Sequence, residues 1–87
     1  MNLVEIIKTR LSVLNPQSLE ILDDSALHKG HAGNTGGGHI SLKIVSSQFS
    51  QKSQIIRHRL IYQALSDLIP LQIHALSILA ISPDDPN

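Results

Sequence analysis

The sequence contains no cysteine, which excludes disulfide scaffolds, cysteine-based zinc sites and cysteine nucleophiles. Aromatic residues are almost absent, with only Phe49 and Tyr62. Net charge is also missing: seven basic residues balance seven acidic ones. A nucleic-acid binder that works by charge alone is ordinarily clearly basic, so that class starts at a disadvantage. No apolar run approaches the roughly 18–20 residues of a membrane span. The start, Met1-Asn2-Leu3-Val4-Glu5, lacks the basic and apolar regions of a signal peptide and is not Arg- and Ser-rich like a transit sequence. The expected setting is cytoplasmic, with no membrane partner, and a removed organellar presequence is compatible with the same residues. What is present is a chain of 87 residues, enough for one small domain. Leu and Ile dominate the 41% apolar content, which suffices for one modest aliphatic core. Five histidines are many for this length. If the chain binds a metal, histidine is the means.

Periodicity orders the chain. Leu3, Ile6, Ile7, Leu11 and Leu14 recur at helical spacing, with Asn2 as a cap and Asn15-Pro16 as a stop. Ser18 to Asp24 is short and β-compatible. Ser25 to Gly38 carries five glycines without periodicity and reads as a loop long enough to be functional. His39 to Ser46 alternates, with Ile40, Leu42 and Ile44 on one side and Ser41 and Lys43 on the other, as in a half-buried strand. A second helix is expected from Ser53 to about Leu68, ended by Pro70. His74 to Ile81 is a dense apolar run and reads as a buried strand. The domain is expected over 1–82, with a polar tail over 83–87. The order αββαβ makes the first two strands an antiparallel hairpin. The last strand follows a helical crossover and should run parallel to the second. The expected fold is α+β, a two-layer sandwich of a three-stranded mixed sheet with both helices on one face.

A helical wheel separates the cluster Arg57-His58-Arg59. Ile56, Leu60, Ile61, Ala64, Leu65 and Leu68 form one apolar arc, and Arg57 falls inside it. Arg57 therefore reads as structural, with its stem packed and its guanidinium bonded to carbonyls or a carboxylate. His58, Arg59 and Tyr62 fall opposite, as either a solvated face or a contact surface for a partner or phosphate. Among the histidines, His28 and His31 stand three apart on the Gly-rich loop, His39 opens a strand or caps the hairpin, and His74 stands where a loop enters a strand. Position alone makes none of them a ligand. No metalloprotease helix, phosphate loop or nucleophile elbow is present, so an enzyme is not expected. Gly30-His31-Ala32-Gly33 has the spacing of the clamp loop of KH RNA-binding domains, but it lies between two strands where that loop joins two helices, so the match reads as chance.

Several segments resemble BolA-like proteins in the right order. Leu19-Glu20-Ile21-Leu22-Asp23-Asp24-Ser25 resembles their first strand, and His28-Lys29-Gly30-His31-Ala32-Gly33 their variable loop in its histidine form. Lys43-Ile44-Val45-Ser46 with Phe49 is similar to the second strand and its exit. Ile56-Arg57-His58-Arg59-Leu60-Ile61-Tyr62 resembles the family's most recognisable helix, and Ile73-His74-Ala75-Leu76-Ser77-Ile78 its closing strand. Two departures stand out: Phe49-Ser50-Gln51 where the family has Phe-x-Gly, and His39-Ile40 where it has His-Phe. Gln51 in the glycine position is expected to alter the turn.

The resemblance implies a KH-like (class II) fold without the RNA clamp. It also implies a monothiol glutaredoxin partner and a 2Fe–2S cluster shared with that partner and glutathione, for cluster trafficking or iron regulation. On that reading His74 is the principal ligand and His28 or His31 the second. Imidazole ligation raises a cluster's potential relative to thiolates and makes binding pH-sensitive. Without cysteine, the isolated chain is expected to be a monomer that holds no stable cluster, and a heterodimer forms with the partner. The alternative is a DNA-binding transcriptional regulator acting through the Arg57–Tyr62 helix, with Lys43, Lys52, Arg57 and Arg59 as a local basic patch. A third reading is an interaction module without metal.

Overall fold

A computed structural model of the chain describes residues 2–23 and 38–86. The sequence-based loop over 25–38 lies almost wholly outside the described residues, with His28 and His31 in it. Helix α1 spans Leu3–Leu11, and a 3-10 turn, Ser12–Leu14, extends it. Asn2 caps α1: its side chain accepts a 2.9 Å bond from the Glu5 amide, which satisfies one of the free donors of the first turn. Asn15 ends the turn in the left-handed conformation, φ 51° and ψ 54°, which Asn adopts more readily than most residues. Strands β1 (Ser18–Asp23), β2 (Gly38–Val45) and β3 (Ile73–Ile81) form one sheet in that order, and α2 (Gln54–Ala64) connects the last two. β1 and β2 are antiparallel, with Ser18 opposite Val45 and Asp23 opposite Ile40, and β2 and β3 are parallel.

The alternation of β2 decides which side of the sheet is covered. Ile40, Leu42 and Ile44 are buried against Ile7, Leu11 and Leu14 of the first helical segment and Ile61, Leu65 and Leu68 in and after α2. Phe49, Ile73 and Ala80 complete the core. Glu20, Leu22, Ser41, Lys43, Ser77 and Leu79 line a groove of about 560 Å³ on the other face of the sheet, where Lys43 Nζ lies 3.7 Å from Glu20. Ser46 leaves β2 fully buried and fully bonded. Its hydroxyl donates to the Leu14 carbonyl at 2.6 Å and accepts from the Gln48 amide at 3.1 Å, and its amide donates to the Ile81 carbonyl at 2.9 Å.

Two expectations are corrected. α2 stops at Ala64, not at Leu68. Leu65 leaves helical geometry (φ −104°, ψ 11°), and the Leu68 carbonyl then accepts from both the Gln72 and Ile73 amides at 2.9 Å. Leu65 and Leu68 are still buried, so the apolar period runs on through the turns and hides the end of the helix. Ser66 and Asp67 are weak helix formers, and Asp67 is engaged in a bidentate pair with Arg10 of α1 at 2.8–3.2 Å. Second, β3 is not a buried strand. It is an edge strand covered on one face, and His74, Ala75, Ser77 and Leu79 are exposed. Gln51, which stands where the family has glycine, adopts φ 61° itself.

The segment after Ser82, read from sequence as a polar tail, is bonded into the fold. Arg57 is buried, as its place in the apolar arc of α2 implied. Its Nε donates to the Lys52 carbonyl at 2.9 Å and one terminal nitrogen to the Ala80 carbonyl at 3.1 Å. Both terminal nitrogens donate to Asp85 at 2.7 Å, and the guanidinium lies 6.0 Å from the centre of the Phe49 ring. Asp85 also accepts from the Ser82 amide at 2.9 Å. Asp84 accepts from the hydroxyls of Ser50 and Ser82.

The Arg57 bonds, helped by the Ser82 amide, hold the Asp85 carboxyl down to about 2. Because the folded value lies below the ordinary carboxylate value of about 3.9, this stabilisation is complete above that value and is lost as pH falls through the folded one. Asp85→Asn is expected to lower the urea midpoint at neutral pH and to reduce the loss of stability between about pH 4 and 2. The loss is reduced, not abolished, because Asp67 and Asp84 are also held low by their bonds to Arg10 and to Ser50 and Ser82. Equal acid slopes in wild type and variant would refute the assignment. Gln51→Gly should raise stability by roughly 0.5–1 kcal/mol, since relief of left-handed strain exceeds the added unfolded-state entropy. Chemical denaturation that shows a loss instead would mean the turn does not strain Gln51.

Candidate functional site

The register between β2 and β3 sets the geometry around His74. Gly38 stands opposite Ile73, but His39 stands opposite Ala75, so His74 has no counterpart across the ladder. An extra residue of this kind is a β-bulge, a device that re-aims side chains at the ends of sheets. It has a local cause. Ile73 is buried in the core, and Leu76, opposite Ile40, is half-buried on the same face. Strict alternation cannot place both residues inward, because they are three apart. The bulge takes up the odd residue, and His74 and Ala75 are both exposed. His39, half-buried on the central strand, comes alongside, and the centres of the two imidazole rings lie 5.8 Å apart with planes tilted by 45°.

Of the three ligand candidates read from the sequence, His74 is described and His28 and His31 lie outside the described residues. The neighbour that the structure gives His74 is His39, which sequence reasoning set aside as a strand opener. Its signal was the parallel pairing of the two strands, which brings residues that start adjacent strands together. No group of three or more His, Cys, Asp or Glu side chains suited to a metal occurs among the described residues. The two imidazoles fall short of such a group.

The second candidate surface lies on and before α2. Ser53 caps the helix, its hydroxyl accepting from the Ile56 amide at 3.3 Å. Lys52 and Arg59 are exposed, Tyr62 is 44% exposed and His58 is half-buried. The wheel argument missed Ile55, which is 72% exposed. Ile55, Arg59 and Tyr62 are spaced i, i+4, i+7 and form one stripe of aliphatic, cationic and aromatic side chains. The basic patch expected from the sequence is smaller than four residues. Arg57 is buried on Asp85, and Lys43 lies on the opposite face of the sheet beside Glu20.

Residues 11–85, which take in the sheet, α2 and the Asp85 bonds, match the family model described as BolA-like protein. The chain belongs to that family. It is 46% identical over 76 residues to SufE-like protein 1, chloroplastic/mitochondrial, of Arabidopsis thaliana, which covers 80% of this chain and 20% of that protein. It is 40% identical over 79 residues to BolA-like protein 1 of Bos taurus, covering 88% of this chain and 56% of that one. The BolA-like chain thus spans only a fifth to about half of the length of these curated relatives. The solved structure of BolA1 from Arabidopsis thaliana superposes with a TM-score of 0.84 at 35% identity, over 99% of this chain and 98% of that one. The α+β fold with a three-stranded mixed sheet and two helices is shared with it. The Arabidopsis relative is named for chloroplasts and mitochondria, so kinship does not single out the cytoplasm. No helix among the described residues is long and apolar enough to cross a membrane.

Proposed function

We propose that this BolA-like chain is the imidazole-bearing, non-enzymatic partner of a monothiol glutaredoxin in iron–sulfur cluster trafficking or iron regulation. The observation that carries this reading is the exposed His74, turned out of the ladder by a bulge at a sheet edge and accompanied by a second imidazole. The donor set fits half of a 2Fe–2S site. The imidazole of His74 is exposed, and the chain has no thiolate of its own. A partner and glutathione would have to supply the sulfur half, with His74 as the principal ligand here and His28 or His31 as the second. Such a cluster, when bound, supplies one-electron redox capacity or is itself the cargo passed on. The chain's own part is to present the imidazole on a strand held by backbone ladder bonds, with the nitrogen that binds unprotonated. The stripe Ile55, Arg59 and Tyr62 supports a protein partner, because aromatic and Arg side chains are enriched at protein interfaces. The DNA-binding reading is left with Lys52 and Arg59 as its exposed basic residues around α2, on a chain of zero net charge.

Anaerobic mixing with a monothiol glutaredoxin, glutathione, iron and sulfide tests the proposal through visible absorption and circular dichroism. The wild-type chain should change the spectrum of the glutaredoxin-bound cluster, and His74→Ala should remove that change. Separate His28→Ala and His31→Ala variants should show which loop histidine contributes. A spectrum identical with and without this chain, or one indifferent to His74→Ala, would refute it.

A further inference from the structure

We propose that the outer edge of β3 is a pairing surface for a second copy of this chain, joined antiparallel about a twofold axis at Ser77 into one continuous sheet. The proposal goes beyond the glutaredoxin reading. It rests on main-chain groups, uses no metal or imidazole, and replaces the monomer expected of the isolated chain by a weak dimer.

The two edges of the sheet differ. β1 carries Glu20 and Asp23, charges of the kind that keep edge strands from pairing, whereas Ile73–Ile81 contains no Asp, Glu, Lys, Arg or Pro. The main chain of β3 has a free stretch. The Ile81 carbonyl accepts from the Ser46 amide on the β2 side, so the alternate residues Leu76, Ile78 and Ala80 turn their amides and carbonyls outward. The Ala80 carbonyl is taken by the side chains of Arg57 at 3.1 Å and Gln54 at 3.3 Å. Leu76 and Ile78 have no main-chain partner on that side among the described residues, and the stretch they bound is centred on Ser77. The core face is also incomplete there. Leu76 and Ile78 pack against the core yet stay half-buried, while Ile40, Leu42 and Ile44 on the central strand are buried. A strand added beyond β3 covers them.

A second copy of the chain fits this edge. Antiparallel pairing centred on Ser77 sets Leu76 against the second copy's Ile78 on the core side and Ala75 against its Leu79 on the open side. Leu76 and Ile78 exchange both main-chain bonds with their counterparts, and the two Ser77 residues meet at the axis. Zero net charge lets two copies approach without mutual repulsion. The pairing uses both free β3 edges and leaves the charged β1 edges outside, so it closes at two copies and does not grow into a fibre. The paired stretch is short, so the dimer is weak.

The test uses the full chain alone. Sedimentation velocity from micromolar to millimolar concentration should show a rise from one chain to two, and no further. In a mixture of ¹³C-labelled and unlabelled chains, an isotope-filtered nuclear Overhauser effect should join the Ser77 Hα protons of the two copies, which face each other closely in a pair of this kind. Ser77→Lys sets like charges together at the axis and should raise the dissociation constant by about tenfold or more. Ser77 is exposed, and the backbone NMR spectrum of the dilute variant separates lost pairing from lost folding. Lys43→Ala, on the open face of the central strand, should leave association unchanged. The proposal is overturned if the wild-type chain sediments as one copy at millimolar concentration or grows beyond two. It is equally overturned if Ser77→Lys associates as tightly as wild type, if Lys43→Ala abolishes association, or if the Ser77 contact is missing where the dimer dominates. Cluster formation with glutaredoxin is read separately, through His74→Ala, and can succeed or fail whichever way these results fall.

Discussion

The burial of one face of β2 is the constraint on which the rest of the structure depends. Ile40, Leu42 and Ile44 point to the helices, so Ser41 and Lys43 must point away from them. Both neighbouring strands take their register from this one. Ile21 stands opposite Leu42 on one side and Ile78 on the other, which extends a single apolar surface across the sheet. The same constraint produces the candidate site. A core residue at Ile73 and another at Leu76 are incompatible with strict alternation, and the bulge that reconciles them turns His74 outward. Packing at the sheet's core face thus determines what is presented at its edge.

A second constraint joins the two ends of the last structural unit. Arg57 lies in the apolar arc of α2, where an unpaired charge would be costly, and Asp85 together with the carbonyls of Lys52 and Ala80 satisfies it. The helix, the end of β3 and the segment after it are therefore fastened by one guanidinium. This changes the meaning of a basic-looking motif. Three consecutive residues, Arg57-His58-Arg59, read like a single cationic patch, yet the first belongs to the interior and the third to the surface. A charge count over the motif overstates what a nucleic acid could meet.

Much of the fold was legible from period and punctuation. The Asn2 cap, the stop at Asn15-Pro16, the alternation of β2, the start of α2 at Ser53 and the parallel return of β3 all follow from local chemistry plus the handedness of crossovers. The failures share a cause. The end of α2 was overrun because Leu65 and Leu68 stay buried after the helix has ended, so the apolar signal outlasts the hydrogen-bonding pattern. β3 was taken as buried because a dense apolar run looks the same whether one or both faces are covered. The candidate site was half legible. His74 was singled out through a resemblance, and its neighbour His39 was passed over, because residues 35 positions apart become neighbours only through strand pairing.

By itself the sequence determined the donor chemistry: imidazole without thiolate, zero net charge, and an aliphatic core sized for one domain. It also determined the order of elements, because periodicity, caps and breakers act over a few residues. Only the tertiary structure decided which of those side chains meet. The His39–His74 pair and the Arg57–Asp85 bonds depend on register and on contacts between distant segments. Those are set by how the apolar faces fit together, and a one-residue shift in pairing changes them while leaving every local propensity intact.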